Sequence, residues 1–152
     1  MNRIKTILLG GMAFFFMASF VLKGDTSSIE GKTYKITITE AKKGGKAGAA
    51  ETDEASFKSG KFKCKFFQKN AGAEMIPIDL DKDSTYSDDG GETQTMYVEF
   101  SGEMQNKLEE VVKVTGTIDG TGIEGSVELS KKEKVKKHWD FVGMQKDKKG
   151  GK

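Results

Sequence analysis

The chain has 152 residues, of which 25 are basic and 23 acidic, with a single cysteine, a single histidine and a single tryptophan. A near-balanced charge argues against general nucleic-acid binding, which needs a clear positive excess to neutralise phosphates. One cysteine excludes an intramolecular disulfide, and one histidine with one cysteine cannot build a closed zinc site.

The chain opens with Arg3 and Lys5, followed by Thr6 to Leu22 without a charge and then Lys23. A positive end before an apolar stretch is the layout of a secretory signal. Residues 1–24 are therefore expected to be a signal peptide, with an uncleaved N-terminal anchor as the alternative. Either route exports the domain, to the periplasm or outside a bacterium. The leader holds three of the basic residues and no acidic one, so the remainder is close to neutral. Roughly 125 residues then remain, the size of one domain with one core.

Residues 25–30 read as a polar linker, and residues 31–146 as the folded domain. Thr33 to Glu40 alternates Tyr34, Ile36 and Ile38 against Lys35, Thr37 and Thr39, the two-residue period of a half-buried strand. Ala41 to Glu51 is rich in glycine, alanine and lysine and reads as a mobile loop. Ala55 to Lys58 and Lys61 to Gln68 read as a hairpin across Ser59-Gly60, with Phe57, Phe62, Cys64 and Phe66 inward and Phe67 outward. Glu74 to Leu80 is a strand whose Pro77, lacking an N–H, belongs at an edge or a strand start.

Asp81 to Glu92 is acidic and polar. Thr93 to Ser101 follows as a strand with Met96, Val98 and Phe100 inward, and Gly102 to Glu110 reads as a helical turn or a hairpin connection. Val112, Val114, Gly116 and Ile118, then Ile123, Gly125, Val127 and Leu129, give two strands joined at Asp119-Gly120. Lys134 to Gln145 is the last, with Val135, Lys137, Trp139, Phe141 and Gly143 on one face. Residues 147–152 form a basic tail. Several short strands with glycine turns and inward glycines at 116, 125 and 143 predict an all-β domain, a single antiparallel up-and-down β-barrel of about eight strands, in preference to a sandwich.

Three segments carry a resemblance. Gly31 to Thr37 (GKTYKIT), Ser56 to Phe62 (SFKSGKF) and Val114 to Gly125 (VTGTIDGTGIEG) resemble small secreted bacterial proteins with a lipocalin-like, calycin-type barrel. The resemblance implies a cup that holds a small apolar ligand. Lipocalins proper have a tryptophan two residues after a glycine at the first strand; here Gly31-Lys32-Thr33 lacks it, and Trp139 stands on the last strand.

No constellation of acid, base and nucleophile is present. Asp79, Asp81 and Asp83 have the spacing of the first calcium-loop ligands, but Ser84 stands where the turn needs glycine and Gly90 where a bidentate glutamate belongs. No metal or other cofactor is expected. Cys64 sits between Phe62 and Phe66, as a small core residue does, and His138 falls on the face opposite Trp139. Lys131, Lys132, Lys134, Lys136 and Lys137 read as a solvated, edge-blocking turn, with contact to anionic lipid or polysaccharide outside the cytoplasm as the alternative.

The candidate ligand-lining residues are Phe57, Phe62, Phe66, Met96, Phe100, Trp139 and Phe141. The expected function is a non-enzymatic, monomeric binding module holding a small apolar or amphipathic molecule. The alternative is a structural or protein-interaction domain of the cell envelope with a filled core. No nucleic acid is expected as a partner, and a membrane only through the N-terminal segment if it is not cleaved.

Overall fold

The computed structural model describes residues 25–147. The expected signal helix and nearly all of the basic tail lie outside the described residues.

Among the described residues eight strands and one short helix follow in order: β1 (Thr33–Ala41), β2 (Ala47–Lys58), β3 (Lys61–Cys64), α1 (Lys65–Ala71), β4 (Ile76–Tyr86), β5 (Thr95–Gln105), β6 (Val111–Asp119), β7 (Gly122–Lys131) and β8 (Lys134–Gln145). Each strand pairs antiparallel with the next, and β1 pairs with β8, so the sheet closes into a barrel. Closure pairs most of the sheet edge, the usual route to strand-to-strand aggregation, except where the short β3 leaves the outer parts of β2 and β4 without a second neighbour. The seam between β3 and β4 is the thinnest, with only Lys61 opposite Pro77 and Phe62 opposite Ile76. Pro77 sits at the start of its strand, where a missing donor costs little.

Alternation dictates the interior. Tyr34, Ile36 and Ile38 of β1, Val98 and Phe100 of β5, Val112, Val114 and Ile118 of β6, and Ile123 and Val127 of β7 are all buried. Trp139 and Phe141 complete the core from β8. Ser59 and Gly60 both have positive φ, at 53° and 69°, and turn the β2–β3 hairpin as their sequence indicates.

Five stretches differ from the sequence reading. Residues 65–68 are helical rather than extended, because the strand at Lys61 stops at Cys64. The change of period turns Phe67 inward, where it is 1 % exposed, and leaves Phe66 half-buried. The loop after β1 shrinks to residues 42–46, since Ala47 to Asp53 pairs with β1 as far as Ala41. That part of the hairpin projects beyond the core, and pairing with β1 holds residues of low strand propensity in place. The polar residues from Asp81 to Tyr86 prolong β4 against β5 past a bulge between Leu80 and Lys82, and β5 runs to Gln105, leaving a tight turn at 106–110. On β8, Val135 and Lys137 are exposed, because the β7–β8 hairpin outruns the core and shifts register between Leu129 and Ser130.

The inward glycines have a packing cause. Phe100, Gly116, Gly125 and Phe141 lie side by side on β5 to β8. A Cβ on Gly116 would sit 2.4 Å from the Phe100 ring, and one on Gly125 would sit 2.6 Å from the Phe141 ring and 2.2 Å from the Thr115 carbonyl oxygen. The glycines make the room that the two rings occupy. Gly143 is similarly closed off, with the Lys35 carbonyl oxygen 2.1 Å from its Cβ position.

Candidate functional site

The seven expected lining residues come together, but chiefly by touching one another. Phe57 packs on Phe62 (ring centroids 5.6 Å apart) and edge-on to Phe100 (5.1 Å). Phe62 stacks on Phe100 (6.2 Å) and Phe141 (5.8 Å). Phe66 reaches Trp139 at 6.0 Å from the helix rather than from a strand. Met96 is only partly buried and packs against the rim of this cluster. Two further residues, absent from the expected set, complete the web. Tyr34 meets Phe57 edge-on at 6.0 Å, and Phe67 bridges Trp139 (5.8 Å) to Phe141 (6.4 Å). Offset and edge-to-face pairs in this distance range are favourable beyond the area they bury.

Both ends of the interior are covered. At one end residues 26–32 turn across the opening and insert Ile29, which is fully buried. The Gly31 N–H donates to the Phe57 carbonyl (2.8 Å), and the Ser59 N–H donates to the Glu30 carboxylate (2.6 Å). The expected linker is therefore a plug. At the other end lies α1, with Phe67 and Ala71 pointing inward and Gly72 at its left-handed C-cap.

The helix is held from two sides. The Phe66 N–H (2.6 Å) and the Cys64 Sγ–H (3.2 Å) both donate to Asp53 Oδ2. Burial raises the Asp53 carboxyl, but the backbone N–H groups of Glu54 and Phe66, the thiol and nearby Lys65 outweigh it, and the net shift is downward. Burial, and then the hydrogen bond to Asp53, push the Cys64 thiol up to about 12. A protonated, buried thiol is a poor nucleophile. On the far side, Asn106 Nδ2 donates to the Ala71 carbonyl and to Glu110 Oε2 (both 2.9 Å), while its Oδ1 accepts from the N–H groups of Leu108 and Glu110. Glu110 Oε1 pairs with Lys136 at 3.0 Å. Hydrogen bonds from Asn106 and then Lys136 hold the Glu110 carboxyl below its ordinary value.

Cys64 and His138 do not form a pair. His138 sits on the outer face between Glu128 (3.5 Å) and Asp140 (3.0 Å). Among the described residues no group of three His, Cys, Asp or Glu side chains is placed to hold a metal. Asp79, Asp81 and Asp83 are all exposed.

Among the described residues two buried side-chain atoms have no hydrogen-bond partner, the Ser28 hydroxyl and the Tyr34 hydroxyl. The Tyr34 hydroxyl is fully buried without a hydrogen bond, and burial raises it to about 12.

Two depressions lie on the outside of the sheet. One, of about 650 Å³, lies over Gly116 and Gly125 and is lined by Asp81, Glu99, Glu124 and Asp140 with threonine and serine hydroxyls between them. The other, of about 670 Å³, crosses the outer faces of β1, β2 and β3 and is lined by Lys35, Lys63, Lys65 and Lys146 with Thr33, Thr52 and Ser56. Among the described residues no helix is long and apolar enough to cross a membrane.

No protein-family model, curated protein or solved structure matches this chain.

Proposed function

We propose that this protein is an exported, non-enzymatic binding domain with a filled barrel, acting through its outer surface. The supporting observation is the interlocking of Phe57, Phe62, Phe67, Phe100, Trp139 and Phe141, with Ile29 and α1 over the two ends. Side chains that satisfy one another's surface leave a guest only the room it makes by displacing them. The meandering eight-strand order is that of lipocalin-like barrels, and the three resembling segments support placement among them, with the cup occupied by the protein's own aromatics.

Trp139, the single tryptophan, is a probe built into that cluster. Titration with a panel of fatty acids and retinoid-like compounds is expected to leave its emission unchanged. A saturable response would overturn the filled-barrel reading.

One observation favours a second reading, in which the barrel carries a small amphipathic molecule. The unpartnered Tyr34 hydroxyl is a buried polar handle of the kind that fixes a ligand's orientation in an otherwise apolar site. In that case Tyr34→Phe would weaken the Trp139 response to ligand.

A further inference from the structure

We propose that the lysine-lined outer face of β1, β2 and β3 binds a linear anionic polysaccharide. The inference deepens the outer-surface reading and rests on it.

The face is built by register. Lys61 and Lys63 occupy successive outward positions of β3, about 6.6 Å apart at the usual rise of a strand. Lys65 follows at the first position of α1. Lys58 lies directly opposite Lys61, and Ser56 opposite Lys63. Lys35 stands on the neighbouring strand, opposite Glu54. Lys146 joins them where its N–H bonds to the Thr33 carbonyl past the end of β8. Two carboxylates also line the depression, and both are engaged: Glu54 pairs with Lys146, and Asp53 Oδ2 accepts from Phe66 and Cys64. Among the described residues Lys35, Lys58, Lys61, Lys63 and Lys65 form no ion pair.

This arrangement costs the isolated protein something. Like charges directly opposite each other on neighbouring strands repel, as Lys58 and Lys61 do. An anion laid along the face relieves that repulsion and releases its own counterions, so binding should weaken steeply with salt.

The lining also indicates what kind of anion. The depression holds hydroxyls at Thr33, Thr52 and Ser56 but no aromatic ring. Single-stranded nucleic acids are held largely by stacking of bases on aromatic side chains, for which this face has no platform. A membrane surface is met by a flat or protruding face with apolar side chains to insert, whereas this face is recessed and polar. Charged sugars need cations and hydroxyls at intervals along a groove, which is what the register supplies.

The test uses the full chain and heparin, a sulfated polysaccharide, followed by titration calorimetry at several salt concentrations. Saturable binding that falls with salt is expected, with Trp139 emission unchanged. Lys63→Glu with Lys65→Glu is expected to reduce affinity about tenfold or more, while Lys63→Arg with Lys65→Arg retains it. Lys131→Gln with Lys132→Gln and Lys134→Gln, on the β7–β8 hairpin, should change it less than about twofold, since none of the three lines the depression. Near-UV circular dichroism checks that each variant keeps its fold.

The proposal is overturned if heparin does not bind, or if the hairpin substitutions abolish binding as fully as the β3 set. It is equally overturned if a single-stranded oligonucleotide or vesicles of anionic phospholipid bind more tightly through the same lysines. Failure with heparin while apolar probes leave Trp139 silent removes the polysaccharide and leaves the filled barrel standing.

Discussion

Gly125 shows how much of this core is decided by an absent side chain. Its missing Cβ is the space between the Phe141 ring and the Thr115 carbonyl, and a backbone oxygen at 2.2 Å cannot rotate away as a side chain does. Gly125→Ala is therefore expected to destabilise by about 2–3 kcal/mol, at the upper end of the usual cost of overpacking. Gly122 is the control, because its Cβ position is 3.4 Å from its nearest neighbour, the Asp119 carbonyl oxygen, and its φ is not positive. Gly122→Ala should stay within about 0.5 kcal/mol, as substitutions away from special features do. Urea unfolding of both variants makes the comparison, and equal losses would refute the packing account. Tyr34 gives the opposite case. If its hydroxyl is simply an unmet polar group in a filled core, Tyr34→Phe removes a desolvation cost and should leave stability equal or raise it by about 1 kcal/mol.

Cys64 supplies a pH dependence whose direction follows from its environment. Its thiol is raised from 9.0 to about 12 in the fold. Below pH 9 both folded and unfolded chains hold the proton and the group contributes no slope. Above it the unfolded chain ionises first and gains stability, so the fold loses stability as pH rises from about 9 towards 12. Cys64→Ala should flatten this alkaline limb relative to the parent in thermal melts. A thiol reagent at neutral pH should modify Cys64 only as fast as the protein opens, and rapid modification of the folded protein would contradict the burial assigned to it.

At the scale of elements, α1 is the part with the most to lose from a single side chain. Asn106 joins the β5–β6 turn to the helix C-terminus through the Ala71 carbonyl and is 9 % exposed. Asn106→Ala leaves that carbonyl and Glu110 without a buried donor, at about 1–3 kcal/mol. The loss should be local: amide exchange in residues 65–71 and along the two-pair β3–β4 seam is expected to speed up before that of β6 and β7. Uniform acceleration across the sheet would show that the helix is not a separately opening unit. Asp53 and Glu110, the carboxylates that hold the two sides of the helix, are both lowered in the fold. Their contribution is present above the unfolded carboxyl pKa and is lost as pH falls through the folded values, so acid should loosen α1 first.

The same helix marks where sequence alone is insufficient. Phe62, Cys64 and Phe66 sustain a two-residue period that conceals the helical spacing of Phe67 and Ala71, and only Gly72 after Asn70-Ala71 signals a helix stop. By contrast β6 and β7 are legible position by position, because one face is apolar and the other charged or hydroxylated. The first half of β2 is illegible for the opposite reason: Ala47 to Asp53 has no apolar face and is a strand through pairing alone. Among the candidate lining residues, inward direction could be read from parity. Filling could not, since it depends on whether rings on β5 and β8 find glycines opposite them on β6 and β7, which is a property of cross-strand register.

At the scale of the whole molecule, closure makes stability a property of the ring rather than of any hairpin. β1 and β8 pair from Tyr34 opposite Gln145 to Glu40 opposite Trp139, and the Lys146 N–H bonds to the Thr33 carbonyl. Residues 33 and 146 are thus neighbours, and the ring should tolerate being opened elsewhere. The turn at 42–46 is the place to open it: its residues are exposed, and Gly44 and Gly45, both at positive φ, have nothing near their Cβ positions. A circular permutant beginning at Gly45, with a short glycine-serine linker from residue 147 to residue 25, is expected to close the same barrel, because breaks at exposed loop tips leave buried pairing intact. The Trp139 near-UV signal should match that of the parent, with stability lower by no more than a few kcal/mol. A break within the short β3, between Phe62 and Lys63, should instead release α1 and Phe62 from the core and abolish the signal. Equal tolerance of both breaks would mean that the β3–β4 seam does not close the ring, and the enclosed aromatic core would lose its structural basis.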